Sequence, residues 1–103
     1  MTDQDTNTTQ EMEEFWKLVD SFIHLANEHC EASEREKVSS ALVYAAARFN
    51  AFVVASNSYN EQEFMDQRQE ATEFFENQYS RMFQENLDDY ENHYKQYTET
   101  PLN

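Results

Sequence analysis

Three ionisable residues at four-residue spacing are the chain's clearest candidates for metal chemistry. Asp20, His24 and Glu28 would share one face of a helix. Carboxylates and imidazoles are common metal ligands, and carboxylate-rich helical bundles hold paired metal ions. Those bundles use a glutamate three residues before a histidine, and none of the three histidines here has one. We therefore favour a solvated, ion-paired face and expect no cofactor, with a metal site at these three residues as the alternative.

Arg48 is the second candidate, because it interrupts the otherwise apolar segment 41–55 together with Asn50. A guanidinium there can bind the carboxylate or phosphate of a ligand through two parallel hydrogen bonds. Tyr44, one turn earlier, and Asn50 would complete such a ligand site. The favoured interpretation is structural: Arg48 pairs with a carboxylate such as Asp20, since an unpaired buried charge costs several kcal/mol.

The segment 41–55 itself indicates a helix that the fold hides on nearly every side. A surface helix would show a polar face at each turn. The charge distribution supports this view, because residues 1–31 carry a net charge of -7, residues 57–93 carry -8, and the intervening segment carries +1. A nearly neutral segment between two acidic ones is expected to lie inside.

Composition excludes several classes of function. The chain has no glycine, and phosphate-binding loops, dinucleotide fingerprints and nucleophile elbows all need glycine where the backbone approaches a ligand or takes a positive φ. We therefore expect no enzyme activity. The net charge of -14 with scattered basic residues disfavours binding to nucleic acid and to anionic membranes.

Cys30 is the only cysteine, which excludes an internal disulfide and is typical of a reducing compartment. We expect a cytoplasmic protein, because the N-terminus has no signal-like segment. We also expect no membrane association, because the segment 41–55 is short for a membrane span and carries a charge at its middle.

The expected fold is an all-α three-helix bundle. Capping signals at Thr8, Ser33 and Asn60, each followed three residues later by glutamate, precede apolar repeats at helical spacing. The predicted helices span about 10–30, 34–56 and 61–97. They form one domain, 10–97, between disordered tails at 1–9 and 98–103.

The third predicted helix is longer than its neighbours and leads to the prediction of a homodimer. Its roughly 37 residues would span about 55 Å, so its end would overhang. That end carries Tyr90, Tyr94 and Tyr97, which are candidates for the dimer interface. A second chain against this end or against the second helix would cover both surfaces. The alternative is a break near Asn86 to Asp89 that lets the C-terminal segment close the bundle within one chain.

Several of these residues together resemble a known family. The string from Tyr44 to Phe52, Tyr-Ala-Ala-Ala-Arg-Phe-Asn-Ala-Phe, occurs with Phe15-Trp16, Phe22-Ile23 and the segment 85–90, Glu-Asn-Leu-Asp-Asp-Tyr. This combination is similar to the bacterial family called domain of unknown function 3144, over about residues 15–90. The resemblance implies a small all-helical cytoplasmic protein and supplies no activity, ligand or catalytic residue.

The sequence therefore predicts a non-catalytic interaction or scaffold module that binds a protein partner of unknown identity. One alternative is an acidic mimic of nucleic acid that occupies a basic site on another protein, because carboxylates are spread along two of the predicted helices. The other is a helical protein that binds a metal or a small ligand through the candidate residues above.

Overall fold

The chain is all-α in a computed structural model that describes the backbone of residues 3–99 and the side chains from residue 7 onward. Four helices follow in order: α1 (Asp3–His29), α2 (Arg35–Asn57), α3 (Glu61–Asn92) and α4 (Tyr94–Glu99). The prediction of an all-helical chain is confirmed. The helices fall into two compact units that divide within α2, after Val43.

The first unit comprises α1 and the start of α2. Helix α1 begins at Asp3, well before the predicted start at residue 10. The reason is helix propagation: once the apolar repeat has nucleated a helix, each added residue gains one backbone hydrogen bond. Thr8 consequently lies inside the helix and is not its cap. The remaining residues of the two predicted tails, 1–2 and 100–103, lie outside the described residues.

One face of α1 is partly covered near its C-terminal end. Its half-buried residues lie on one helical face: Val19, Ile23, Ala26 and Asn27. Cys30, just beyond the helix, is also half-buried. Val38, in the first turns of α2, is half-buried as well. The turn between α1 and α2 contains a hydrogen bond from the Ser33 backbone N–H to the carbonyl of His29 at 3.0 Å.

The second unit comprises α2 from Tyr44 onward, α3 and α4. Helix α3 begins where the sequence predicts, because Asn60 caps it: the Asn60 side chain accepts a hydrogen bond from the Glu63 N–H at 2.9 Å. Ser58, in the connection, donates its hydroxyl to the carbonyl of Val54 at 2.8 Å and lies 3.5 Å from Gln67 Oε1. These contacts fix the reversal between α2 and α3.

The predicted third helix is broken at His93, four residues beyond the end of the segment Asn86 to Asp89 that was considered from the sequence. The His93 N–H still donates to the Asp89 carbonyl at 3.1 Å, and the His93 ring nitrogen Nδ1 lies 3.1 Å from the same oxygen. The His93 backbone leaves helical geometry at φ -130° and ψ 33°, so α3 ends there. Helix α4 then contacts the end of α3.

The prediction that α2 is hidden on nearly every side is wrong within the single chain. No side chain of α2 is buried, and the same holds for every other side chain that the structure describes. Phe49 and Phe52 are 64% and 63% exposed, and Tyr44 is 71% exposed. Residues this large and apolar are mostly covered in folded proteins. The apolar sequence of α2 thus indicates that its side chains pack against another surface, and the helices of one chain do not bury them.

Candidate interaction surface

Helix α2 presents two different apolar faces within the second unit. The inner face contains Ala47, Ala51 and Val54, which line a groove of about 460 Å³ toward α3. On the other side of the groove, α3 contributes Phe64 and other residues that include Ala71, Phe75, Arg68 and Glu76. The small alanines leave the groove wide enough for solvent to enter it.

The outer face of α2 is an uncharged stripe made of Ala45, Phe49 and Phe52, which we call the outer stripe. At 100° per residue these three positions cluster on the side of α2 opposite to the groove. The rings of Phe49 and Phe52 lie 6.0 Å apart between centroids, at an interplanar angle of 43°. All three side chains are exposed.

Arg48 does not form the buried ion pair that the sequence favoured. Its side chain is exposed, and within the part of the chain that the structure describes no carboxylate lies at ion-pair distance from it. Arg48 lies at the edge of the outer stripe, on the same side of α2 as Tyr44, which precedes it by one turn. The guanidinium therefore keeps its hydration and needs no partner inside the chain.

The three predicted ligand-binding residues do not converge. Tyr44 and Arg48 share one side of α2, whereas Asn50 is half-buried and lines the groove toward α3. Two residues that differ by two positions on a helix point about 160° apart. A ligand held by Arg48 and Tyr44 would thus lie away from Asn50.

The predicted metal ligands form a pair rather than a triad. His24 Nε2 lies 2.7 Å from Glu28 Oε1, and both side chains are more than half exposed. Asp20 precedes Glu28 by eight residues, which is about 12 Å along a helix axis. That separation is too long for both carboxylates to reach one ion. Among the described residues no group of three potential ligands is close enough to hold a metal.

The predicted interface tyrosines are partly used within the chain. The rings of Tyr90 and Tyr97 lie 4.7 Å apart across the break at His93. The Tyr97 hydroxyl donates a hydrogen bond to the Asp89 carboxylate, and this bond, helped by partial burial and by the negative charge of Asp89, raises the Tyr97 pKa above its usual value of 10.0. Tyr94 remains 65% exposed. One of the three tyrosines is therefore left fully available to a second chain.

Sequence reasoning missed the groove and its α3 wall. Phe64, Ala71 and Phe75 fall at helical spacing, which predicts an apolar face of α3, but their pairing with the alanine side of α2 depends on the turn at Ser58 to Asn60. The sequence signal for this groove is the pair of small residues Ala47 and Ala51, four residues apart, because small residues on one face of a helix let another helix approach.

Helix α2 also meets the criteria of length and composition for a membrane-spanning helix. By these criteria alone it is long and apolar enough to cross a bilayer, and it is the one helix of the described chain for which this holds. The core helix of a water-soluble protein passes the same test.

The chain belongs to the family DUF3144, whose members are described as proteins of unknown function; the family model matches residues 15–91. The matched region includes most of α1, the whole of α2 and nearly all of α3. No curated protein and no solved structure matches the chain.

Proposed function

We propose that this protein is a non-catalytic interaction module that works as a homodimer, in which a second chain covers the apolar faces that one chain leaves open. The observation that carries the proposal is the absence of any buried side chain among the described residues. A domain without an interior has little hydrophobic stabilisation to set against the chain entropy lost on folding.

Stable complexes bury about 800 Å² on each partner. Tyr44, Phe49 and Phe52 on α2 are each more than 60% exposed, and a large aromatic side chain buries about 150–250 Å² when it is covered. These three residues would therefore supply a substantial part of an interface of ordinary size.

The exposed surface has the composition of an interface. Aromatic residues, methionine and leucine are spread along α1, α2 and α3 with 37% or more of each side chain exposed. Aromatic and methionine side chains are enriched at the centres of protein interfaces. The polar groups, in contrast, meet in exposed pairs such as His24 with Glu28, which favours a binding role over a catalytic one.

The three-helix bundle predicted from the sequence is completed, in this proposal, by helices of both chains. Each copy contributes an α2 with two apolar faces, one toward its own α3 and one toward its partner. Four-helix arrangements built from two helical hairpins satisfy such faces through regular side-chain packing. The dimer then offers its remaining acidic surfaces on α1 and α3 to a partner protein.

Thermal unfolding at several protein concentrations tests the proposal. If folding is coupled to dimerisation, the melting temperature rises with protein concentration, because the folded state is favoured by mass action. Circular dichroism at 222 nm at about 1 µM and at about 100 µM compares the melting temperature over a hundredfold range of concentration. A melting temperature independent of concentration, together with cooperative unfolding of a monomer, would overturn the proposal.

A further inference from the structure

The charge pattern limits which surface of this chain can contact a copy of itself. In a two-fold contact the same patch lies on both sides, so a patch that carries mainly one sign of charge faces that same sign on the partner. Helix α3 carries ten acidic residues and two arginines, and residues 1–31 have a net charge of -7. Like charges brought together in this way oppose association.

Helix α2 is the exception to this pattern. After Lys37, the only charged residue in the helix is Arg48. Arg48 lies about 65° around the helix from the centre of the outer stripe at 100° per residue, so it lies at the rim of any contact made there. A second copy of the chain can therefore approach the outer stripe without bringing carboxylates together.

The inner face of α2 is a weaker candidate for self-association. It is already turned toward α3 of its own chain, whose rim bears Arg68 and Glu76. The exposed Tyr94 is also a weaker candidate for self-association, because its neighbours Tyr90 and Tyr97 already contact each other. The three side chains of the outer stripe, in contrast, are exposed within the described part of the chain.

We infer that the outer stripe packs against the outer stripe of a second copy, with the two α2 helices antiparallel about a two-fold axis near Phe49. This inference rests on the homodimer of the proposed function and names its surface. The order of sizes along the stripe supports the register: with Phe49 opposite its own copy, Phe52 of each chain lies opposite the small Ala45 of the other. Large side chains then fit over small ones, as in close helix packing.

Cysteine cross-linking tests this register directly. In a Cys30→Ser background, Phe49→Cys should form an interchain disulfide, because antiparallel helices in contact bring facing Cα atoms within the 4.4–6.8 Å or so that a disulfide spans. Ala47→Cys is the matched control: it lies at nearly the same height on α2 but lines the groove on the opposite side. It should stay reduced.

A mixed cross-link provides a second readout that does not alter Phe49. Chains with Ala45→Cys and chains with Phe52→Cys should cross-link when mixed, whereas each alone should not, since its own copy is about 10 Å away along the axis. Cross-linking of Ala45→Cys with itself, but not with Phe52→Cys, would overturn the register.

A charge placed in the outer stripe tests the surface without any cross-link. Phe49→Lys should raise the dimer dissociation constant by about 100-fold, as expected for loss of a central aromatic residue. Tyr59→Lys introduces the same charge at an aromatic residue that is 90% exposed and should leave the dissociation constant unchanged. Helix content measured by circular dichroism shows whether each variant remains folded.

The outcomes separate this inference from the proposed function. If the wild-type protein is a dimer but Phe49→Lys is an equally tight dimer and Phe49→Cys stays reduced, the outer stripe is not the interface and the homodimer stands. If the wild-type protein is a monomer at all concentrations, both proposals fall. Sedimentation of that monomer with neutral phosphatidylcholine vesicles would then assign the apolar faces of α2 to a lipid surface.

Discussion

Phe49 and Phe52 lie with ring centroids 6.0 Å apart on the outer side of α2, and each is more than 60% exposed. An aromatic pair of this size contributes most to stability when water is excluded from it. Within one chain the pair keeps much of its contact with water. This relationship is one reason for placing the contact with a second copy on the outer stripe.

The contact of α4 with α3 should depend on the Tyr97 hydroxyl. That group donates to Asp89, so Tyr97→Phe should loosen α4 while α1 to α3 remain intact. Amide hydrogen exchange in residues 94–99 should become faster in the variant. Tyr94→Phe is the matched control, because Tyr94 is exposed; equal protection in both variants would contradict the role given to Tyr97.

The same hydrogen bond predicts a loss of order at high pH. The Tyr97 pKa is raised in the folded chain, so the contribution of the bond is fully present below the unfolded pKa of about 10 and is lost as the pH rises through the higher folded value. The Tyr97 absorbance change near 295 nm should therefore occur above pH 10. A titration of Tyr97 below pH 10 would show that the bond to Asp89 is absent.

Asn60 should be the most sensitive cap in the chain. Its side chain accepts from the Glu63 N–H at 2.9 Å, and loss of such a cap costs about 1 kcal/mol in the free energy of unfolding. Asn60→Ala should therefore show this loss in urea unfolding, whereas Asn60→Asp keeps the acceptor and should remain close to the wild type. Equal losses in the two variants would mean that the side chain acts in some way other than capping.

Arg48→Ala should change the free energy of unfolding by less than about 0.5 kcal/mol, as is usual for an exposed residue without a specific partner. The structure shows no ion pair for Arg48 in the part of the chain that it describes. Arg81→Ala is a suitable comparison, because Arg81 is exposed and donates to the Gln78 side chain of its own helix at 2.7 Å. A loss of several kcal/mol confined to Arg48→Ala would place its guanidinium in a buried pair after all.

The local signals in the sequence predict much of this fold. The Asn60 cap fixes the start of α3, and the bounds of α2 differ by one residue from those predicted, because capping and apolar spacing act within a few residues. The break at His93 was harder to place. It lies where the backbone of His93 leaves helical geometry, and no proline or glycine marks it.

The candidate site was less predictable. The apolar run in α2 indicates that the helix needs cover, but composition does not say whether that cover comes from the same chain or from another one. Arg48 illustrates the difference: its position in an apolar run suggested a buried pair, yet the spacing of 3.6 residues per turn places it at the edge of the outer stripe. The divergence of Asn50 from Arg48 follows from the same spacing.

The molar mass in solution tests the central claim most directly. Light scattering at about 50 µM, in about 0.15 M salt and again in about 1 M salt, should give twice the chain mass of 12.3 kDa. The dimer should be at least as stable at high salt, because salt screens the repulsion between two chains of net charge -14 while leaving apolar contacts in place. A mass near 12.3 kDa under both conditions would contradict the account.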